Sequence, residues 1–360
     1  MEIETIHILL WLVPIGFISR DYSTLRYELT CGRWGWRSRP LFAFIVFLPI
    51  FIMTVYGRVR ADTWAYLSMF RALRTDAAGA LEAIQKAKDP GFTVFGLIVK
   101  TIFGSDQTAY RFLIAAVHTI PLILVLRKYS LDYVFSIFLF IAFGYHLSWM
   151  MNGLRQFMAV TIIFAATPWI LKQDAAKTIP IILFAALFHK SALIFIPVFF
   201  IVQGEVWNWK TLLFSFLMVI ATLFFARNGD SFDTLADNVG YSISSMKESG
   251  DDGTNPIRVL VHSIPMILSF IYRDGLKKDN NPLINLCVNM SVLTAGMYLV
   301  SMVTSGIMVG RMPIYTSLYN LILLPYLVYH CFPRNIMKFV FLGVIVFHFA
   351  FLYIEAGGLW

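Results

Sequence analysis

Apolar residues in this chain come in long blocks rather than in strict alternation. Runs of roughly 16 to 23 recur from one end to the other, close to the ~20 residues that carry a helix across a bilayer. The pattern predicts spans near 3–19, 41–57, 109–126, 131–150, 154–171, 175–188, 191–206, 211–226, 257–272, 283–305, 314–331 and 337–354. The expected fold is an all-α polytopic membrane protein of about 12 transmembrane helices, a single transmembrane domain over residues 1–360. One stretch breaks the pattern. From Asp62 to Lys88, Trp64, Leu67, Phe70 and Leu73 recur near helical spacing among charges, as in a helix lying at the membrane interface. Pro90-Gly91 ends it, and 92–104 is short for a crossing, so 57–108 reads as an outer-face amphipathic and re-entrant segment.

Short basic loops orient these spans. Arg20, Arg26, Arg33, Arg37 and Arg39 follow the first run, and Arg127-Lys128, Lys172/Lys177, Arg273/Lys277/Lys278 and Arg334/Lys338 adjoin later ones. Lys and Arg near span ends stay in the cytoplasm, which predicts N- and C-termini outside and an external acidic loop over 227–256. The signs agree when 175–206 crosses twice, as a tight hairpin with His189 and Lys190 at its outer tip. A single broken span is the competing reading.

Composition supports the membrane class: 58% of the 360 residues are hydrophobic and 14% charged, against about 25% charged in soluble domains. Glu2 and Glu4 stand where a cleavable signal would carry bases. Three cysteines, Cys31, Cys287 and Cys331, give an odd number in positions that do not suit disulfides. The net charge of +8 falls on the cytoplasmic side under this topology. Several bases nonetheless remain outside, and the orientation rule leaves them unexplained.

Some of those bases have the chemistry of a site. Asn152, Arg155, Gln156 and Ala159 follow helical spacing (i, i+3, i+4, i+7) and would share one face. Arg155 alone would read as an interfacial anchor, but Asn and Gln alongside favour a polar pocket. His189 sits between apolar helices. The default for such a residue is a turn histidine satisfied by backbone, yet polar groups within a membrane protein are functional candidates, and histidine transfers protons near neutral pH. Arg311 precedes a span with Tyr315 at i+4, Arg258 opens another, and Arg60, Asp62 and Tyr66 lie just beyond the second. Arg155, His189, Arg258 and Arg311 fall on one face. Arginine suits phosphate or diphosphate oxygens. A cavity lined by Arg, His, Asn and Tyr at the outer face would suit a lipid-linked diphosphate. No Gly-rich nucleotide loop, paired-Asp metal motif or His/Cys cluster is visible, so no cofactor or metal and no nucleic-acid partner is expected.

Five blocks carry a resemblance. Asp62-Thr63-Trp64-Ala65-Tyr66, Asp89-Pro90-Gly91-Phe92, Asn152-Gly153-Leu154-Arg155-Gln156-Phe157-Met158-Ala159, Phe188-His189-Lys190-Ser191-Ala192 and Gly310-Arg311-Met312-Pro313-Ile314-Tyr315 resemble, in order, the EpsG family of bacterial polysaccharide polymerases. These are Wzy-type proteins of O-antigen, capsule and exopolysaccharide assembly. The similarity covers roughly residues 55 to 320. Two positions depart from the family pattern: Ala61, where the family tends to have Gly, and Asp89, where Glu is common.

The resemblance implies a metal-independent glycosyltransferase of the bacterial cytoplasmic (inner) membrane, its site facing the exterior. A glycan on undecaprenyl diphosphate would pass to the terminal hydroxyl of an incoming lipid-linked repeat unit. In that reading Arg155 and Arg311 hold the diphosphate, with Arg258 or Arg60 in support. His189, then Asp62, is the candidate for base or hydroxyl positioning. Asn152, Gln156, Tyr66, Tyr315 and Ser191 orient substrate. Besides the lipid-linked substrates and the bilayer, a chain-length regulator is an implied partner. Two other classes compete. A flippase for the same lipids should show internal repeats and a polar path through both leaflets, and neither is visible. A membrane acyltransferase would need His or acidic residues at the cytoplasmic side.

Overall fold

The computed structural model describes residues 11, 12, 14–16, 18, 19, 23–28, 33–57, 61–228, 231, 232, 234, 253–333 and 335–355. Arg60, Cys31 and most of the expected acidic loop lie outside them. Helical residues at 11, 12, 14–16 and 18 precede a two-stranded sheet, β1 (Ser23–Glu28) and β2 (Arg33–Ser38). The sequence pattern had placed only a basic loop there, although Trp34 and Trp36 alternate with other residues at the period of a strand. Helices make up the other described elements, in two compact units: one of residues 1–27, 34–196 and 345–360, the other of 28–33 and 197–344.

The first unit contains α1 (Pro40–Tyr56), α2 (Ala61–Ala72), α3 (Ala77–Lys86), α4 (Pro90–Phe103), α5 (Gln107–Tyr129), α6 (Tyr133–Ala142), α7 (Tyr145–Asn152), α8 (Leu154–Ala165), α9 (Thr167–Leu171) and α10 (Ala175–Ala186). A 3-10 turn, Lys190–Ile194, follows, and α11 (Phe195–Ile201) crosses the boundary between units. In the second unit are α12 (Trp209–Arg227), α13 (Pro256–Ile271), α14 (Arg273–Asp279), α15 (Pro282–Ser301), α16 (Ile314–Ser317) and α17 (Asn320–Cys331). Helix α18 (Met337–Glu355) returns toward the first.

Among the described helices, α5, α12 and α15 are each long and apolar enough to cross a membrane; counting the bent pairs α6–α7 and α13–α14 as single spans makes five. The chain is a polytopic helical membrane protein, and its described helices supply three to five candidate spans where the sequence pattern predicts about 12. Several expected spans are broken. The run 131–150 bends by 73° at Gly144, whose φ of +68° suits only glycine at low cost. The run 154–171 restarts at Thr167 with Pro168 in its first turn, and 314–331 divides at Leu318-Tyr319. The single amphipathic helix expected over 62–88 is two helices. Leu73 to Asp76 separates them, because Asp76 caps α3 by accepting from the Gly79 amide. Helix α4, at 14 residues, is about 21 Å long, shorter than the ~30 Å hydrocarbon core.

Helix starts follow a rule legible in the sequence. Asp76, Asp106, Asp132, Asp174, Asn208, Asn255 and Asn281 each accept an amide hydrogen from the first turn of the helix they precede, satisfying donors that would otherwise be orphaned. Two helix ends in the first unit are closed by cations instead. Arg111 Nη2 donates to the carbonyls of Thr54, in the last turn of α1, and of Gly57 just beyond it, at 3.0 and 2.8 Å. Lys100 Nζ donates to those of Arg71 and Leu73 at the end of α2, both at 2.6 Å. Cations at helix C-termini satisfy orphan carbonyls and complement the dipole. That accounts for two of the bases the orientation rule left over. In the second unit α15 is the central helix, almost wholly buried, whereas α12 packs on it with most of its surface bare. An apolar helix left bare in this way suits a lipid environment.

Candidate functional site

One aspartate breaks the capping rule. Asp89 occupies the N-cap position of α4 and makes no capping bond. Its Oδ2 instead accepts from Arg155 Nη1 at 2.7 Å. Asp89 is 3% exposed and its Oδ1 is buried without a hydrogen-bond partner. A buried carboxylate is tolerated when a cation pairs with it, and Arg155, on the first turn of α8 and partly exposed, is that cation. Arg155 Nε reaches the Tyr66 hydroxyl at 3.5 Å, and its guanidinium lies 5.2 Å from the Tyr66 ring centre. Tyr66 in turn packs edge-on against Phe92 of α4. The guanidinium is therefore gripped by α2 and α4 together, a fixed orientation for a fork of five donors.

The next residue, Gln156, starts a second arrangement. Trp149 Nε1 donates to Gln156 Oε1 at 2.9 Å. Gln156 Nε2 donates to Ser191 Oγ at 3.3 Å, and Ser191 Oγ lies 2.6 Å from His189 Nδ1. Tyr145 stacks on the Trp149 indole, 5.6 Å between centroids and 8° from parallel. The chain turns at Leu187–His189, and the 3-10 turn that follows packs against α10 and α8. That turn delivers His189 and Ser191 to Gln156.

Glycines in the motifs make these approaches possible. A Cβ on Gly153 would meet the Trp149 ring at 2.8 Å, and one on Gly91 would meet the Leu187 backbone carbonyl at 2.9 Å. The Gly91 amide donates to that same Leu187 oxygen at 2.8 Å. Thr63 Oγ1 adds a bond from α2 to the Met151 carbonyl at 2.6 Å. Four of the five sequence blocks thus converge in the first unit.

The fifth block lies in the second unit with Arg258. Thr254, just before α13, hydrogen-bonds to Ser301 at the end of α15 through backbone (3.0 Å) and side chain (2.8 Å). A Cβ on Gly310 would lie 2.6 Å from Thr254 Oγ1 and 2.5 Å from the Gly306 carbonyl. The turn bearing Arg311 therefore packs on the segment that opens the helix bearing Arg258. Both arginines are half-buried, and Tyr315 is buried at 3%.

Each site residue expected from sequence has a place, except Arg60, which lies outside the described residues. Arg155, Tyr66, Gln156, Ser191 and His189 come together. Gln156 and Ser191 are occupied with protein partners. Asp62 is exposed on the first turn of α2. The shared helical face assumed for Asn152 does not exist: Gly153, at φ −89° and ψ 48°, separates α7 from α8. Asn152 is the half-buried last residue of α7. Sequence reasoning did not assign Asp89 or Trp149. Asp89 stood only in the Asp89-Pro90-Gly91-Phe92 block, as a departure from the family's Glu, with no role attached. Trp149 lies seven residues before Gln156 across a helix break, so no spacing rule links them.

A comparison with protein-family models matched residues 40–357 to the EpsG family, a Wzy-like polysaccharide polymerase family. Comparisons with curated proteins and with solved structures gave no match.

Proposed function

The chain belongs to the EpsG family, and from that premise we propose that it polymerises undecaprenyl-diphosphate-linked oligosaccharide repeat units at the outer face of the bacterial cytoplasmic membrane. The family makes it a polysaccharide polymerase-type membrane protein; substrate, orientation and residue roles are our reading. The observation that carries it is the Asp89–Arg155–Tyr66 grip, next in sequence to the Gln156–Ser191–His189 chain.

In the proposed reaction the glycosidic carbon of the donor breaks its bond to the diphosphate oxygen, which keeps the electron pair. The terminal hydroxyl of the acceptor repeat unit forms the new bond and gives its proton to a base, His189 first and Asp62 second, and undecaprenyl diphosphate departs. Charge grows on the departing oxygens, where a preorganised cation is worth most. Arg155 offers the donors that Asp89 and Tyr66 do not use. Arg311 and Arg258 of the second unit, and Arg60, remain candidate cations for a lipid-linked diphosphate, and Tyr315, near Arg311 in sequence, a candidate for orienting sugar or phosphate. Asn152 and Asp62 remain candidates for the acceptor side, Asp62 as a carboxylate open to solvent. A partner that regulates chain length would act on this process from outside the site. Ordering Arg155 through Asp89 costs desolvation of the carboxylate, a cost better suited to a functional site than to simple anchoring.

A strain lacking the protein, read on a polysaccharide gel, tests the reading. Loss of the ladder with one capped repeat unit remaining is the expected result. Loss of that single unit as well would point to a flippase, and an intact ladder carrying fewer substituents to an acyltransferase. Complementation with Arg155→Ala should fail to restore the ladder.

A further inference from the structure

We propose that Tyr145, Ser148, Trp149 and Asn152 form a subsite for a sugar ring of the lipid-linked repeat unit, built on one face of α7. This deepens the polymerase reading and rests on it for the identity of the lipid, while the chemistry of the helix face itself points to a sugar.

Helix α7 has two unlike faces. His146, Leu147, Met150 and Met151 are buried, whereas Tyr145, Ser148, Trp149 and Asn152 are each half-exposed. Those four follow the spacing i, i+3, i+4, i+7, so they share one face over about 10 Å of helix. They form two rows along it. Tyr145 and Trp149, four residues apart, stack with their rings 8° from parallel. Ser148 and Asn152, also four apart, keep their hydroxyl and carboxamide free of hydrogen bonds among the described residues. Serine and threonine within a helix often bond the carbonyl four residues back, as Thr54, Ser215 and Ser263 do. Ser148 leaves its hydroxyl available.

An aromatic row beside a hydrogen-bonding row suits a sugar better than lipid or water. Against lipid, a free hydroxyl and a free carboxamide would go unsatisfied, which is costly. Against water, the stacked rings would stay uncovered. A sugar ring meets both rows, because its C–H face is apolar and its edge carries hydroxyls. Serine and asparagine each donate and accept, as those hydroxyls require. The aromatic row is also held rigid. Trp149 Nε1 donates to Gln156 Oε1 at 2.9 Å, and a Cβ on Gly153 would meet the indole at 2.8 Å. Thr63 Oγ1 fixes the end of the helix through the Met151 carbonyl at 2.6 Å. A platform ordered in advance loses little freedom when its ligand arrives. Gln156 ties this face to Arg155, its neighbour in the chain. A ring seated on it stands beside the cation proposed for the departing diphosphate, where the new bond would form.

Binding to the full-length protein in nanodiscs tests this with two probes: undecaprenyl diphosphate alone, and the undecaprenyl-diphosphate-linked repeat unit purified from the host's membranes. Tyr145→Leu and Asn152→Ala should each weaken binding of the glycosylated lipid about 3- to 10-fold, the scale of one stacked contact or hydrogen bond. Neither should change the binding of undecaprenyl diphosphate. Tyr145→Phe, which keeps the ring, should bind the glycosylated lipid more tightly than Tyr145→Leu. As a control, Trp209→Leu removes an exposed aromatic at the start of α12 and should alter neither affinity. Ser148 and Asn152 bond to nothing in the described fold, so Ser148→Ala and Asn152→Ala decide the matter if Tyr145→Leu fails to fold. Equal weakening toward both probes, or none toward either, overturns the proposal. If the glycosylated lipid binds through this face and yet no polymer forms from it, the polymerase reading fails and the subsite stands.

Discussion

The two units present their arginines in different ways. In the first, side chains hold side chains: Asp89 grips Arg155, and Trp149 orders Gln156, Ser191 and His189. In the second, close backbone packing positions the elements: Gly310 lies against Thr254 and Gly306, and Thr254 is tied to Ser301. A side-chain grip fixes the orientation of a functional group and fails when its chemistry changes. Backbone packing fixes the position of a turn and fails when volume is added. Substitutions should therefore separate the units by type, chemical in the first and steric in the second.

The largest effect should come from Arg155→Ala, which leaves Asp89 buried and uncompensated. Breaking a buried pair in this way costs about 3–5 kcal/mol, so thermal unfolding in detergent should move down clearly, with polymer lost. Asp89→Asn, which keeps an acceptor, should unfold nearer to wild type. If the two variants unfold alike, the pair is not what holds Arg155. Next is Gly310→Ala, whose methyl group meets a backbone carbonyl and should cost about 1–3 kcal/mol by overpacking. Arg311→Ala should leave stability near wild type while polymer yield falls. A destabilised Arg311→Ala with a tolerated Gly310→Ala would reverse the contrast between the units.

Gly153→Ala should be somewhat milder, up to about 2 kcal/mol by overpacking, since the Trp149 side chain can rotate away. It should still impair polymer formation by unseating Trp149 from Gln156, and full polymer length in this variant would sever Trp149 from function. Ser301→Ala removes a hydroxyl shared between Thr254 Oγ1 and the Tyr298 carbonyl and should cost about 1 kcal/mol, read from the unfolding midpoint.

The smallest effect is pH-dependent. The Gly79 amide, then Arg74, hold the Asp76 carboxyl below its ordinary value. A lowered native pKa contributes stability above the unfolded value, and that contribution disappears as pH falls through the native one. Hydrogen exchange across 77–86 should therefore accelerate below the ordinary carboxylate range, and Asp76→Asn should abolish the pH dependence. Being exposed, the cap is a local device with little bearing on the whole fold.

Much of the helical layout was legible. Long apolar runs marked helices, and Asp106, Asp132, Asp174, Asn208, Asn255 and Asn281 marked where helices begin, because a short polar side chain before an apolar run can satisfy amides only in that geometry. The blocks containing Arg155, His189 and Arg311 were also visible. Breaks were not. Gly144 and Gly153 lie inside apolar runs, where hydropathy reads through a glycine as though the helix continued, so Asn152 was assigned to a face it does not share. Nor did the pattern of charge show that Lys100 and Arg111 close helix ends, since their carbonyl partners lie 27 or more residues away.

The sequence by itself determined a helical membrane protein, the starts of its helices and the candidate residues, since hydropathy and capping are local properties. Only the tertiary structure decided the pairing. An aspartate at an N-cap can serve its own helix or a distant arginine, and a glutamine can point its amide either way. Asp89 turned to Arg155, and Gln156 was oriented by Trp149, because packing brought α4, α7 and the turn after α10 to one place. Those partners are separated by 66, 7 and 35 residues, and only folding can establish contacts of that kind.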